Sequence, residues 1–325
     1  LKVSIIIPCF NNADLITQTL DSVKNQTYTD LECVIVDDGS TDNSLYVISE
    51  YASRDARFKN YPRPKFLQKG ANSCRNFGAE QGKGDLYIFL DADDLLSENC
   101  LEKRLLSYED EDLVVFSTAN FHCDIADSSP FFPNLVLNLY PVQYRNMFLN
   151  YNIPWHVSSG LWKREFFLKI EGFDVTILRF QDVDLHVRAL DDTTISLKLD
   201  FSEGFTSFYR KSGFHQKVTL EKRSFILEQG LIYAWKMKER LDPTVFPQIE
   251  GLFVYLLFRF EEVIQTKELI LIESLIDMKI YSNTESFNSL ELNSIINFYN
   301  SILYKPSRFR KLFSFTLYKL YKIRH

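Results

Sequence analysis

Over the first 95 residues, stretches fit to form strands alternate with helical patterns, and few folds accommodate that alternation. Val3–Ile7 is a mostly apolar, β-branched run stopped by Pro8; Asn11-Asn12-Ala13-Asp14 then leads into a helical pattern carrying Leu15, Ile16, Leu20 and Val23. Cys33–Val36 repeats the run, followed by the polar loop Asp37-Asp38-Gly39-Ser40-Thr41-Asp42 and a helix bearing Leu45, Val47 and Ile48. A third strand, Arg57–Tyr61, ends at Pro62 and Pro64; Lys69–Gln81 reads as the next helix and Tyr87–Leu90 as the next strand. Strands joined through helices run parallel with right-handed crossovers, so all four deliver their loops to one edge of a sheet. The expected fold class is α/β, with a mostly parallel central sheet flanked by helices.

Open α/β sheets bind ligands at that edge. There the fourth strand runs straight into Asp91-Ala92-Asp93-Asp94, three carboxylates with no basic residue among them. Uncompensated buried carboxylates are costly, so these acids face either a cation or solvent. Side chains two apart on an extended chain share a face, which lets Asp91 and Asp93 reach one hard cation. A solvated acidic turn that caps the following helix accounts for the same residues, and the stretch alone leaves both readings open.

Beyond Asp94 the alternation loosens. Leu113–Ser117 is another strand, residues 124–134 a loop bearing Pro and Ser, and residues 142–150 a helix. Residues 163–171 form a short amphipathic helix closed by Gly172, and Asp182–Leu190 another. From about residue 216 helical periodicity prevails, near 219–240, 243–264, 267–279, 285–303 and 305–323. The expected organisation is an α/β domain over 1–215, with halves 1–95 and 96–215, and a C-terminal helical extension over 216–325.

The formal net charge is -6, yet residues 305–325 hold seven Lys or Arg and no acid, which leaves -13 on residues 1–304. So acidic a body argues against nucleic acid as a partner. The tail interleaves its cations with Phe309, Leu312, Phe313, Phe315 and Leu317, a mix suited to peripheral contact with anionic lipid, or equally to a helix packed on the domain with its lysines in water. Five cysteines, an odd number without a Cys-x-x-Cys pair, point to a reduced, cytoplasmic chain. No apolar run reaches the roughly 18 residues of a membrane span, and no signal-peptide pattern opens the chain at Leu1.

Taken in order, Val3-Ser4-Ile5-Ile6-Ile7-Pro8-Cys9-Phe10-Asn11, Val36-Asp37-Asp38-Gly39-Ser40-Thr41-Asp42, Gly70 to Gly78, Gly84-Asp85 and Asp91-Ala92-Asp93-Asp94 resemble the inverting glycosyltransferases of family 2, which have the Rossmann-like GT-A fold. Leu161 to Phe166, Gly172-Phe173-Asp174, Gln181-Asp182-Val183-Asp184-Leu185 and Arg188 match the acceptor half, so the resemblance covers residues 1 to about 215. It implies a sugar-nucleotide donor, UDP-linked, and a hydroxyl of a glycan or lipid-linked saccharide as acceptor, in the setting of bacterial polysaccharide assembly. Pro8, Phe10 and Asn11 would line the base pocket, Asp38 would accept from the uracil ring nitrogen, and Arg75, Asp91 and Ala92 would complete the donor set. Phe10 stands where the family more often has Tyr. Mn²⁺ or Mg²⁺ would be held by Asp93 first and Asp91 second, with Asp94 as a substitute and His215 as the histidine that relatives carry beyond the last core strand. Such an ion neutralises charge that develops on a departing diphosphate.

Attack by a hydroxyl needs a base, and the family's Glu-Asp pair reads Gln181-Asp182 here, which leaves Asp182 as the expected base and Asp184 as its fallback. Trp155, His156 and Gln181 are the expected acceptor contacts, with a core role for Trp155 and Trp162 equally compatible. Arg63 and Lys69 are further cations near the donor side. Two other classes fit parts of the sequence. A sugar nucleotidyltransferase would need a Gly-rich, Arg-bearing loop after the first strand, which Pro8-Cys9-Phe10-Asn11 does not supply. A non-catalytic sugar or nucleotide binding module would explain the loss of the Glu at position 181.

Overall fold

A computed structural model describes residues 1–211 and 219–249, together with Leu252, Tyr255 and Leu256. His215, most of the helical segments expected beyond residue 250 and the basic tail over 305–325 lie outside the described residues. The chain divides into two units, Leu1–Arg145 with Ile153–Gly213, and Asn146–Asn152 with Phe214–His325.

In the first unit, β1 (Val3–Cys9), β2 (Leu31–Asp37), β3 (Phe58–Pro62) and β4 (Leu86–Phe89) alternate with α1 (Ile16–Lys24), α2 (Ser44–Arg54) and α3 (Ala71–Gln81). After the two-residue β5 (Leu95–Leu96) come α4 (Cys100–Ser107), β6 (Leu113–Phe116), β7 (Thr118–Phe121) and β8 (Ser129–Pro130). Next follow α5 (Pro141–Leu149), β9 (Gly160–Lys163), α6 (Arg164–Lys169), α7 (Gln181–Asp191), β10 (Leu197–Asp200) and β11 (Ser207–Arg210). Seven strands form one sheet in the order β10-β6-β9-β4-β1-β2-β3, and only β9 runs against its neighbours. This is the mostly parallel, helix-flanked sheet expected from the sequence. Its core of Ile, Val, Leu and Cys side chains is shut off from water, as the near-continuous apolar runs require.

Pro8 does not end β1 as expected. The Leu90 N–H donates to the Ile6 carbonyl, so Ile6 faces β4, and Pro8, two residues on, faces the same way beyond the last β4 pairing. A residue without an N–H is tolerated where no strand waits for one. Gly78 explains how closely α3 lies on the sheet, since a Cβ there would come within 2.7 Å of Ile6 Cγ2.

The sequence did not announce the second sheet, β5-β11-β7-β8. Two of its strands are two residues long, and β7 begins one residue after β6 ends, so no periodicity betrays them. It matters for function because β11 pairs antiparallel with β5, directly after the acidic stretch.

In the second unit, α8 (Leu220–Arg240) is capped by the Thr219 hydroxyl, which accepts from the Lys222 N–H at 3.3 Å. Leu227, Leu231, Ala234 and Met237 are buried along it at helical spacing. The Tyr151 ring packs on Tyr255 at 4.2 Å. Among the described residues no helix is long and apolar enough to cross a membrane.

The opposite end of the sheet is held by a buried carboxylate. Glu32 on β2 accepts from Ser4 Oγ at 2.7 Å, from Lys59 Nζ at 2.5 Å and from the Lys83 N–H. Burial disfavours its charge, but these donors outweigh it and hold the carboxyl at about 2, below the ordinary 4.5. A folded-state value below the unfolded one stabilises fully above pH 4.5, and the contribution is lost as pH falls towards 2. Glu32→Gln is therefore expected to cost on the order of 2–3 kcal/mol at pH 7. In urea unfolding at stepped pH, the gap between wild type and variant closes below pH 4; a gap independent of pH would contradict this role.

Candidate active site

The chain turns as soon as β4 ends. The Asp94 N–H donates to the Asp91 carbonyl at 3.1 Å, and this turn, rather than the extended chain expected, sets which acids meet. Ligand atoms of Asp91, Asp94 and His156 all lie within 4.8 Å of one another, while Asp93 falls outside that cluster. Asp94 is fully buried: Oδ1 accepts from the Arg210 N–H at 2.9 Å, and Oδ2 has no hydrogen-bond partner among the described residues. Burial, then the charges of Asp91 and Asp93, push its carboxyl well above the usual range. Burial and the Asp91 charge likewise raise Asp93 to about 6. At Asp91 burial also works against the charged form, but the Arg75 guanidinium prevails and keeps the carboxyl below its ordinary value. Burial holds His156 neutral, and its Nδ1 stands 3.6 Å from Asp94 Oδ2. Crowded carboxyls, an orphaned buried oxygen and a neutral imidazole fit a hard divalent cation.

Arg75 joins this cluster to the acceptor half. Buried on α3, it donates from Nη2 to Asp91 Oδ1 at 2.5 Å and from Nη1 to Gln181 Oε1 at 3.2 Å, with its guanidinium 5.1 Å from the centre of the Phe173 ring. Two asparagines on α3 fix the segment on which Gln181 arrives. Asn72 Nδ2 donates to the Asp174 and Ile177 carbonyls, and Asn76 exchanges two hydrogen bonds with the Phe173 backbone. Phe180, left-handed at φ 63°, then swings the chain into α7. Gln181 thus keeps a hydrogen bond to Arg75 but brings no charge, so among the described residues the cation forms its ion pair with Asp91. Asp182, in the first turn of α7, is half-buried and its carboxylate has no hydrogen bond or ion pair among the described residues. Its charge reaches His156, as does that of Asp91. Asp184 is otherwise engaged, fully buried and paired with Arg188 at 2.8 Å.

The loops after β1 and β2 interlock beside the cluster. Asp37 Oδ2 accepts from the N–H groups of Gly39 and Ser40, both at 3.0 Å, and Gly39 takes the positive φ of 82° that this turn needs. Asn11 Oδ1 accepts from the Thr41 N–H at 2.7 Å. Asp38 is buried and pairs with Arg63. Pro8 lies at the end of β1, and the half-exposed Phe10 ring carries Lys69 Nζ 4.0 Å from its centroid. Ala92 is buried, its carbonyl accepting from Thr19 Oγ1 at 2.8 Å.

Two further residues of the site carry no assigned role in the sequence reading. Arg210 on β11 reaches Asp93 through the backbone carbonyl at 2.8 Å and Gln18 Oε1 at 2.7 Å, with Phe121 under its guanidinium. Tyr209 stacks on His156 at 4.5 Å, and burial followed by the charges of Asp94 and Asp91 pushes its hydroxyl up to about 12. Only a four-residue strand signals either, and their partners lie from about fifty to almost two hundred positions away. Trp155 is 2% exposed and packed on Tyr144 and His186, and Trp162 is buried as well.

Comparison with known proteins gives this geometry a family. The sequence profile of "Glycosyl transferase family 2" matches residues 4–166. The poly(ribitol-phosphate) beta-N-acetylglucosaminyltransferase TarP of Staphylococcus aureus is 43% identical over 108 residues, 31% of each chain. The crystal structure of S. aureus TarS 1-349 in complex with UDP-GlcNAc superposes with a TM-score of 0.66 at 16% identity, over 100% of this chain and 93% of that one. The mannosyltransferase PcManGT from Pyrobaculum calidifontis, solved with GDP-Man and Mn2+, gives 0.53 at 18% identity, over 96% and 83%. These likenesses show the GT-A fold. The matched stretch spans less than half the length of the curated relatives.

The cluster makes a prediction of its own. Titrated with Mn²⁺ and followed by the electron paramagnetic resonance of the free ion, the chain should bind one ion, and Asp94→Asn should weaken it about tenfold or more. Asp110→Asn, at an exposed ion pair with Lys163, should change nothing, whereas an unaffected Asp94→Asn would dissociate the cluster from cation binding.

Proposed function

Because the chain belongs to glycosyl transferase family 2, we propose that it transfers a sugar with inversion from a UDP-linked donor to a hydroxyl of a glycan or lipid-linked saccharide. The observation that carries the proposal is the Arg75 guanidinium, which clasps Asp91 on the donor side and Gln181 beside Asp182 on the acceptor side. A single displacement needs the leaving group and the base on opposite faces of one sugar, and one rigid cation that holds both loops fixes that relation.

Asp182 takes the proton of the acceptor hydroxyl as its oxygen bonds to the anomeric carbon. The bond from that carbon to the diphosphate oxygen breaks, and its electron pair leaves with UDP. A carboxylate that makes no hydrogen bond or ion pair among the described residues can accept a proton, which supports this role. Asp91 and Asp94, with His156 and with Asp93 beside them, would hold the divalent ion. When bound, the ion supplies positive charge to the departing diphosphate. Arg210 keeps the acidic turn in register by gripping the Asp93 carbonyl and the Asp94 carboxylate through its backbone.

For the donor base, Phe10 offers an exposed face with Lys69 over it, and Pro8 and Asn11 flank it. Asp38 would accept from the uracil ring nitrogen with the oxygen that Arg63 leaves free. UDP-GlcNAc bound to TarS supports a UDP donor. Gln181, still hydrogen bonded to Arg75, accounts for the altered Glu-Asp pair without loss of catalysis. The five free thiols are compatible with a reducing, cytoplasmic setting.

Asp182→Asn is expected to lower kcat for transfer by about 10²–10⁴-fold. Donor binding stays intact, read as the rise in Tm on adding UDP with Mn²⁺, a rise that GDP and CMP do not give. An active Asp182→Asn enzyme would remove the base assignment, and stabilisation by GDP in place of UDP would overturn the donor.

A further inference from the structure

We propose that the partly open cavity beside the active site, walled by Phe116, Phe131, Leu135, Trp155, Phe201 and Phe205, receives an uncharged apolar aglycone of the acceptor sugar. The inference rests on the glycosyltransferase reading and specifies the acceptor. The cavity measures about 220 Å³ and lies at the carboxyl edge of the sheet, where β6 and β10 end and antiparallel β9 begins. Eleven of its fourteen lining residues are apolar and none is ionisable, so the chemistry of its occupant is narrow.

A saccharide buried there would lose water and gain few partners, since Ser117, Thr118 and Ser159 are the polar residues on the lining. The hydroxyls of Thr118 and Ser159, on the lining, are already bonded to each other at 2.6 Å, and Thr118 to Ser207 at 2.7 Å. A diphosphate link would bring charge into a space with no lysine or arginine, so the group entering is joined through a neutral glycosidic oxygen. At about 30 Å³ per water-sized or methylene-sized group, the space takes roughly seven of them, most of an octyl chain or a substituted aryl ring.

Its position ties it to the acceptor. The Phe131 ring packs on His156 at 5.6 Å and on Tyr209 at 5.9 Å, so one layer of aromatic rings separates the cavity from the acidic cluster. The charge of Asp182 reaches both His156 and Tyr209, the two rings on which Phe131 packs, so the wall adjoins the acceptor end of the site. The segment that supplies the lining residues from Pro130 to Leu137 also exposes Val136 by 61% and Leu137 by 40%, which adds apolar surface beside the cavity.

The test uses the full chain and, below their micelle concentrations, octyl β-D-glucoside and octyl β-D-galactoside against the methyl glycosides, with binding read by calorimetry. Octyl glycosides should bind about 30-fold or more tighter than methyl. Leu135→Trp, which fills the cavity from the loop, and Phe205→Trp, which fills it from the other wall, should each erase the preference while they keep the Tm rise with UDP and Mn²⁺. Equal binding of octyl and methyl forms, no octyl binding, or a preference that survives both substitutions would overturn the assignment. A wild-type chain that prefers octyl glycosides yet gives no UDP response would overturn the glycosyltransferase reading instead, and with it the identification of the apolar group as an aglycone.

Discussion

One buried guanidinium sets the geometry of the site. Arg75 donates to Asp91 in the turn after β4 and to Gln181 at the start of α7, two elements ninety positions apart in the chain. Around it, burial and mutual repulsion push the carboxyls of Asp93 and Asp94 up, while Asp91 stays below its ordinary range because Arg75 sits beside it. Arginine suits such a post better than lysine, since its planar fork reaches two acceptors at once without moving. The uncharged Gln181 is intelligible on the same ground: it retains the geometric contact and leaves the cation undivided.

The sheet converts this local clasp into an edge where chemistry is possible. Parallel β1, β2 and β4 bring Phe10 and Asn11, Asp37 and Asp38, and Asp91 to Asp94 to one side. Two devices keep that edge from relaxing. Arg210, carried in by the small second sheet, binds the acidic turn from behind. At the far end of the strands, Glu32 ties β1, β2 and β3 together with the loop before β4. Neither touches the proposed substrate, yet each removes freedom from groups that do.

Much of the first half was legible in the sequence because its signals are local. β-Branched runs, polar loops and helical spacing gave the βαβ units, with errors only at their ends, as at Pro8, whose tolerance depends on which neighbour its missing N–H would face. Within the site, the acidic stretch, Arg75 and Asp182 could be picked out by motif. Which acids meet could not. An extended chain would pair Asp91 with Asp93, whereas the hydrogen bond from Asp94 N–H to the Asp91 carbonyl makes a turn that brings Asp94 and His156 to Asp91. Arg210 and Tyr209 received no role for a related reason, since what they do comes from the pairing of β11 with β5 and β7, strands too short to show a period. Trp155 reads in sequence equally as an acceptor contact or a core residue, and in the fold it is buried and lines a cavity.

If Arg75 and Asp91 act as one unit that aligns donor and base, their removal should be strongly non-additive. The direct measurement is a double-mutant cycle of Arg75→Gln and Asp91→Asn on kcat/KM for sugar transfer. The account predicts that the double variant is about as impaired as the worse single one, because either substitution already dissolves the clasp. Losses that multiply would mean that the two residues serve the reaction independently, and would contradict it.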